Sequence, residues 1–321
     1  MNARENALRV YRHERAERLP MSADFCNFPF PCERSMQGDD GYDWFGVHWV
    51  ANPGAGQMVV QDKGPMLESI SDWREVVKFP DFGSFDFAAD AATATAAWDR
   101  ENQVGRMILH NGNFERLHAL MRFEDSLVAF YEDPEALHEF YDAMTEYKIK
   151  CILCAKQYYK PDVIIYHDDW GTNRNMFFSP ELWREFFKED VRRLCRVTQE
   201  NGMFFELHCC GHMMPIIEEL VEDIGIDALQ PLQYPQNDIR AVKEKWGSRL
   251  VINGGYDGQK LCSGETDEEE KRRSVRECVE ILAPGGNHIP SIPPIGLDFD
   301  KVVTILEDEA KRYEAEQGHL P

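Results

Sequence analysis

The segment Phe204-Phe205-Glu206-Leu207-His208-Cys209-Cys210-Gly211 sets a carboxylate, an imidazole and a thiol at alternate positions. In an extended strand successive side chains point to opposite faces. Glu206, His208 and Cys210 therefore share one face, and Leu207 and Cys209 the other. With apolar Leu207 turned towards covering helices, the first three face the interior. Imidazole nitrogen at ~2.0 Å and thiolate sulfur at ~2.3 Å suit one borderline-soft ion, with zinc the natural candidate. Cys209 is then a bystander. A core histidine and a core thiol leave the same trace, and zinc normally needs a third protein ligand.

A second group is His167-Asp168-Asp169-Trp170-Gly171-Thr172-Asn173, directly after a β-rich run. Carboxylates at a strand end can share protons, orient a histidine or bind a cation. Asp168 and Asp169 point in different directions, so one of them at most faces a substrate, and Asp168 is the preferred one. A capped strand-to-helix loop explains the same residues. In Asn253-Gly254-Gly255-Tyr256-Asp257 the glycines allow a tight turn near a ligand, which Tyr256 and Asp257 could contact. Gly285-Gly286-Asn287-His288 is similar, and His288 could be a third metal ligand, a substrate contact or a surface residue.

These groups recur at the ends of short β-rich runs. The runs are Met107–Leu109, Val163–Tyr166, Met203–Leu207, Ala228–Gln230, Leu250–Ile252 and His288–Pro290, with amphipathic helical stretches between them. Pro134 to Tyr158 is one such stretch, with Asp133 as N-cap, and Ser179-Pro180 opens the next. The others are Met214 to Val221, Ile239 to Trp246, Glu268 to Leu282 and Phe299 to Ala315. Strand–helix alternation predicts parallel strands with crossover helices. No Gly-x-Gly-x-x-Gly turn marks a dinucleotide fold. Polar residues also close nearly every strand: His110-Asn111, His167 to Asp169, His208 to Cys210, Gln230, Asn253 and Asn287-His288. A (β/α)8 barrel builds its active site on that rim. The expectation is an α/β TIM barrel, residues 1–321 as one domain. Phe25 to Asp43 are read as loops and short helices over the mouth.

Composition excludes other classes. The formal net charge is −22, from 35 basic and 57 acidic residues, which opposes binding to a phosphate backbone. No apolar run approaches the ~18 residues of a membrane span, and the first residues are charged rather than an apolar signal core. A cytoplasmic location follows as the expectation, with nine cysteines held mostly as thiols. Cys151-x-x-Cys154 lies in a helical pattern and reads as core packing.

Together these residues resemble the uroporphyrinogen-decarboxylase superfamily, which includes corrinoid-dependent methyltransferases. Arg4-Glu5-Asn6-Ala7-Leu8, a Pro20-led first strand and Asp43-Trp44-Phe45-Gly46-Val47 are similar to its opening. Asp168-Asp169-x-Gly171-Thr172, Ser179-Pro180-Glu181-x-Trp183-Arg184, His208-x-Cys210-Gly211, Gly254-Gly255-Tyr256-Asp257 and Ala283-Pro284-Gly285-Gly286 follow in the family's order. Phe28 to Ser35 do not match the decarboxylase's arginine-rich motif, so the methyltransferase branch is the better resemblance. That branch implies zinc on a His-x-Cys pair plus a later cysteine, activating a thiol that takes a methyl group from a corrinoid. His208 and Cys210 match the pair. Gly285 to Ile295 hold no cysteine, so Glu206 or His288 must substitute.

The expected activity is zinc-assisted methyl transfer between a small substrate and a corrinoid or thiol acceptor, the corrinoid free or on a partner protein. His208, Cys210 and Glu206 are the expected metal ligands, and Asp168 and His288 the expected catalytic pair. His110, Asn111, Asp169, Gln230, Tyr256 and Asp257 would contact substrate. The alternatives are a metal-free decarboxylase or lyase using Asp168 and His288, and a corrinoid-system accessory protein with a degenerate site.

Overall fold

The computed structural model describes residues 1–31, 41–52, 57–61, 64–292 and 299–317. Strands in chain order are β1 (Phe25–Pro29), β2 (Gly41–Tyr42), β3 (His48–Asn52), β4 (Gln57–Val60), β5 (Val104–Leu109), β6 (Val163–His167), β7 (Phe204–His208), β8 (Ala228–Gln230), β9 (Val251–Asn253) and β10 (His288–Ile289). Seven of them form one parallel ladder in the order β1-β5-β6-β7-β8-β9-β10, with helices on the crossovers. This is the TIM-barrel-like arrangement expected from the alternation. Among the described residues β1 and β10 form the two ends of the ladder.

The helices start where the sequence places start signals. Asp133 accepts the Ala136 N–H (3.1 Å) ahead of the helix Pro134–Cys154, and Ser179 accepts that of Leu182 (3.3 Å) ahead of Pro180–Phe186. Buried Phe205 and Leu207 face the helices, each contributing about 1.5–3 kcal/mol by leaving water. Two expectations are corrected. Phe25–Pro29 is a barrel strand, not loop. Asn27 faces the lumen and accepts from Arg106 Nε (2.7 Å), so its polarity conceals the strand. The helix expected over Met214 to Val221 starts later, at Ile217, and continues as a π-helix over Glu219–Ile224 that ends at Gly225 in the left-handed region.

A small antiparallel sheet, β2-β3-β4, packs beside the barrel. Buried Asp43 pins it by accepting from the Phe45 and Val47 amides, Trp49 Nε1 (3.0 Å) and Arg116 on the helix Asn113–Leu120. Cys32 to Ser35, which departed from the decarboxylase motif, and residues 293–295 of the cysteine-free run lie outside the described residues.

Register fixes which side chains enter the lumen. Ile165, Glu206, Ala228 and Val251 lie abreast, as do His167, His208 and Gln230 nearer the strand C-termini. No helix among the described residues is long and apolar enough to cross a membrane.

Candidate functional site

Three histidines line the C-terminal rim of adjacent strands. His110 follows β5, His167 ends β6 and His208 ends β7. The rings of His167 and His208 stack with centroids 3.9 Å apart, and His110 meets His167 at 5.3 Å. Burial holds all three below the usual histidine range, His208 at about 4 with His167 adding to the effect. The rings are therefore neutral near pH 7 and have lone pairs to offer.

The rings of His167 and His208 are oriented from behind. His167 Nδ1 lies 2.9 Å from Glu115 Oε2. His208 Nδ1 lies 3.3 Å from Gln230 Oε1. The two Nε2 atoms are left for the mouth, where His208 Nε2 stands 3.5 Å from Cys210 Sγ and 3.8 Å from Asp169 Oδ1. One donor atom from each of His167, Asp169 and His208 lies within 4.8 Å of the others. Tetrahedral zinc with ligands at ~2.1 Å sets them ~3.4 Å apart, so modest contraction would close this set on an ion. Nitrogen, oxygen and sulfur donors with a histidine–carboxylate contact behind them suit zinc. Burial and nearby Asp169 raise the Cys210 thiol well above its usual range, and a cation beside it would reverse that.

Backbone contact brings the two strand ends together. Gly211 has φ +87°, and a Cβ there would sit 2.3 Å from the carbonyl carbon of Gly171. A Cβ on Gly171 would sit 2.8 Å from the Cys210 oxygen. The Cys210 N–H then donates to Asp169 Oδ1 (2.7 Å). The glycines of the Asp-Asp-Trp-Gly and His-Cys-Cys-Gly segments serve this approach.

The structure separates residues that the sequence grouped. Glu206 faces the lumen, but it lies deeper than the ligand group. Its carboxylate accepts from Tyr11, Gln230 and Asn253, and Arg106 NH1 is 3.9 Å away. Asp168 turns from the mouth and accepts the N–H groups of Phe114 (3.2 Å) and Glu115 (2.9 Å), so it caps the helix Asn113–Leu120. Burial, then Glu115, raises its pKa to about 7. Asp169 is the carboxylate that joins the histidines.

His288 lies abreast of Ile252, on the face opposite lumen-facing Asn253, and its Nε2 meets the Gly254 oxygen at 3.1 Å. Tyr256 packs beside it, centroids 6.0 Å apart. Asp257 caps Gly258–Cys262. Neither joins the mouth cluster.

His110, by contrast, is buried at the rim, and neither ring nitrogen has a hydrogen-bond partner among the described residues. Asn111, beside it, is buried with φ +53°. Cys209 faces away and accepts the Trp170 N–H, as its strand phase requires. Every described cysteine is free. Residue types alone placed His167 on the rim without giving it a ligand role, although it ends a strand in the same phase as His208. Glu115 and Tyr11 had no local signal.

A parallel barrel-type sheet with a histidine–carboxylate–thiol group at its strand C-termini defines a TIM-barrel protein with a metal-competent rim. The family model described as uroporphyrinogen decarboxylase (URO-D) matches residues 49–296, and the chain belongs to that family. No curated protein matches the chain. Among solved structures, a methyltransferase from Methanosarcina mazei is similar at 15% identity and TM-score 0.67, with 98% of this chain and 99% of that chain covered. A xylose isomerase domain protein from Planctomyces limnophilus aligns at 15% identity and TM-score 0.38, covering 75% and 86%. At 15% identity the likeness to the methyltransferase is one of fold.

Proposed function

We propose that the protein is a zinc-assisted methyltransferase acting between a small substrate and a corrinoid or thiol acceptor. One observation carries the reading: His208 Nε2 faces both Cys210 Sγ and Asp169 Oδ1 at the strand C-termini, beside His167. His167, Asp169 and His208 would hold the ion, with Cys210 adjoining as an exchangeable donor. A bound zinc would act as a Lewis acid that keeps a substrate thiol ionised at neutral pH. His110, with neither ring nitrogen paired among the described residues, is placed to hydrogen-bond substrate. The fold likeness to the Methanosarcina mazei methyltransferase supports this branch of the family. In this reading residues 1–321 work as one unit, and a corrinoid reaches the rim free or on a partner protein.

A metal-free decarboxylase using Asp168 and His288 is disfavoured by their placement. The first caps a helix, and the second lies on the outer face of the sheet.

The test is metal analysis of protein purified without chelator, followed by incubation with methylcob(III)alamin and a panel of thiols while the corrinoid spectrum is recorded. The expected result is about one zinc per chain, with demethylation abolished in His208→Ala. Absence of zinc with unchanged activity in His208→Ala overturns the reading.

A further inference from the structure

The lumen below the rim contains a hydrogen-bonded chain that ends on His208. Tyr11, at the C-terminus of the helix Ala3–Tyr11, stacks on Phe204 (5.2 Å) and donates its hydroxyl to Glu206 Oε2. Glu206 Oε1 accepts from Asn253 Nδ2 (2.6 Å) and Gln230 Nε2. Gln230 Oε1 lies 3.3 Å from His208 Nδ1. Both Glu206 and Tyr11 are almost fully buried.

We propose that Glu206 is a positioning residue which, through Gln230, holds His208 in the tautomer with hydrogen on Nδ1 and a free lone pair on Nε2. A carboxylate can only accept hydrogen bonds, so it must face the NH2 end of the Gln230 amide. Asn253 is held the same way, since its own oxygen accepts from Ser291. The Gln230 oxygen is then the end that meets His208, and an acceptor there requires a proton on Nδ1. Arg106 beside Glu206 balances the buried charge. Tyr11 ties this device to the N-terminal helix. The tautomer itself needs no metal. That it prepares a zinc ligand rests on the reading above.

Replacing Glu206 by glutamine supplies an NH2 group that can bond the Gln230 oxygen. The Gln230 amide can then turn over, present NH2 to Nδ1 and force the hydrogen onto Nε2, where it blocks ligation.

The experiment records long-range proton–nitrogen correlations of the His208 ring in 15N-labelled, metal-free protein near neutral pH, with zinc affinity measured separately by chelator competition. Wild type should show hydrogen on Nδ1, and Glu206→Gln should move it to Nε2. Gln230→Met, which removes the acceptor and keeps the volume, should give a mixture. Tyr11→Phe, which keeps the ring and loses one donor, should shift the tautomer less than Glu206→Gln. Zinc affinity should fall about 10–100-fold in Glu206→Gln.

Hydrogen on Nε2 in wild type, or an unchanged Nδ1 tautomer in both Glu206→Gln and Gln230→Met, overturns the proposal. If Glu206→Gln does not fold, Gln230→Met and Tyr11→Phe still decide it. The expected tautomer with no zinc binding by wild type would refute the methyltransferase reading and leave the positioning role standing.

Discussion

The imidazoles of His167 and His208 lie face to face, 3.9 Å between centroids and 10° from parallel. Their strands pair them residue against residue, so the stack follows from β6–β7 register. Two neutral rings tolerate this spacing, whereas two imidazolium ions would repel, and His167 adds to the burial that lowers the affinity of His208 for protons. The stack thus presents two uncharged nitrogen donors beside one carboxylate, Asp169.

His167→Phe should preserve the ring stack and remove a donor. Zinc affinity, measured by competition with a chromophoric chelator, should fall by about 10-fold or more while the thermal midpoint moves by only a few degrees. An unchanged affinity would place the ion elsewhere in the cluster or nowhere in it.

Asp168 and Asp169 should separate stability from function. Asp168→Ala deletes two buried hydrogen bonds to the first turn of the helix Asn113–Leu120 and should cost about 1–2 kcal/mol in urea unfolding. Its zinc content should not change. Asp169→Asn should behave the opposite way, losing zinc at near-wild-type stability. Loss of turnover in Asp168→Ala with zinc retained would revive the decarboxylase reading.

Gly211→Ala tests the contact between the strand ends. The new Cβ meets the Gly171 backbone at 2.3 Å in a left-handed backbone conformation. Both effects oppose folding, so the loss should exceed about 1 kcal/mol. The same change should displace Cys210 from Asp169 and weaken zinc binding. A variant as stable as wild type would mean that the two segments are not in backbone contact.

The barrel was legible because its helices and most of its strands carry strong local patterns. The alternating phase of Glu206, His208 and Cys210 also followed directly from the sequence. What side chains meet did not. Glu206 is held by Tyr11, 195 residues away, and Asp168 by amides 53 and 54 residues away. Nothing near either position reveals these partners. The choice between Asp168 and Asp169 turns on how the chain leaves β6, which residue types alone do not determine. The face of His288 was illegible for a related reason. A two-residue strand has no phase of its own, and only pairing with β9 supplies one.

That outward face gives His288 a measurable signature. Burial lowers its pKa to about 3, so the folded protein keeps the ring neutral where the unfolded chain, with a pKa near 6.5, protonates it. Between these values the unfolded state binds more protons, and stability must rise with pH. The contribution is complete above about pH 6.5 and is lost as pH falls towards 3. His288→Leu removes the titration and also the hydrogen bond to the Gly254 oxygen, worth about 1 kcal/mol. Near pH 8 the variant should therefore be slightly less stable than wild type. By about pH 4 the difference should shrink or reverse in urea-denaturation midpoints. Turnover and zinc content at neutral pH should stay unchanged, because the side chain lies across the sheet from the rim. A variant whose stability keeps the wild-type slope through this range, or which loses turnover while folded, would put His288 back on the lumen side.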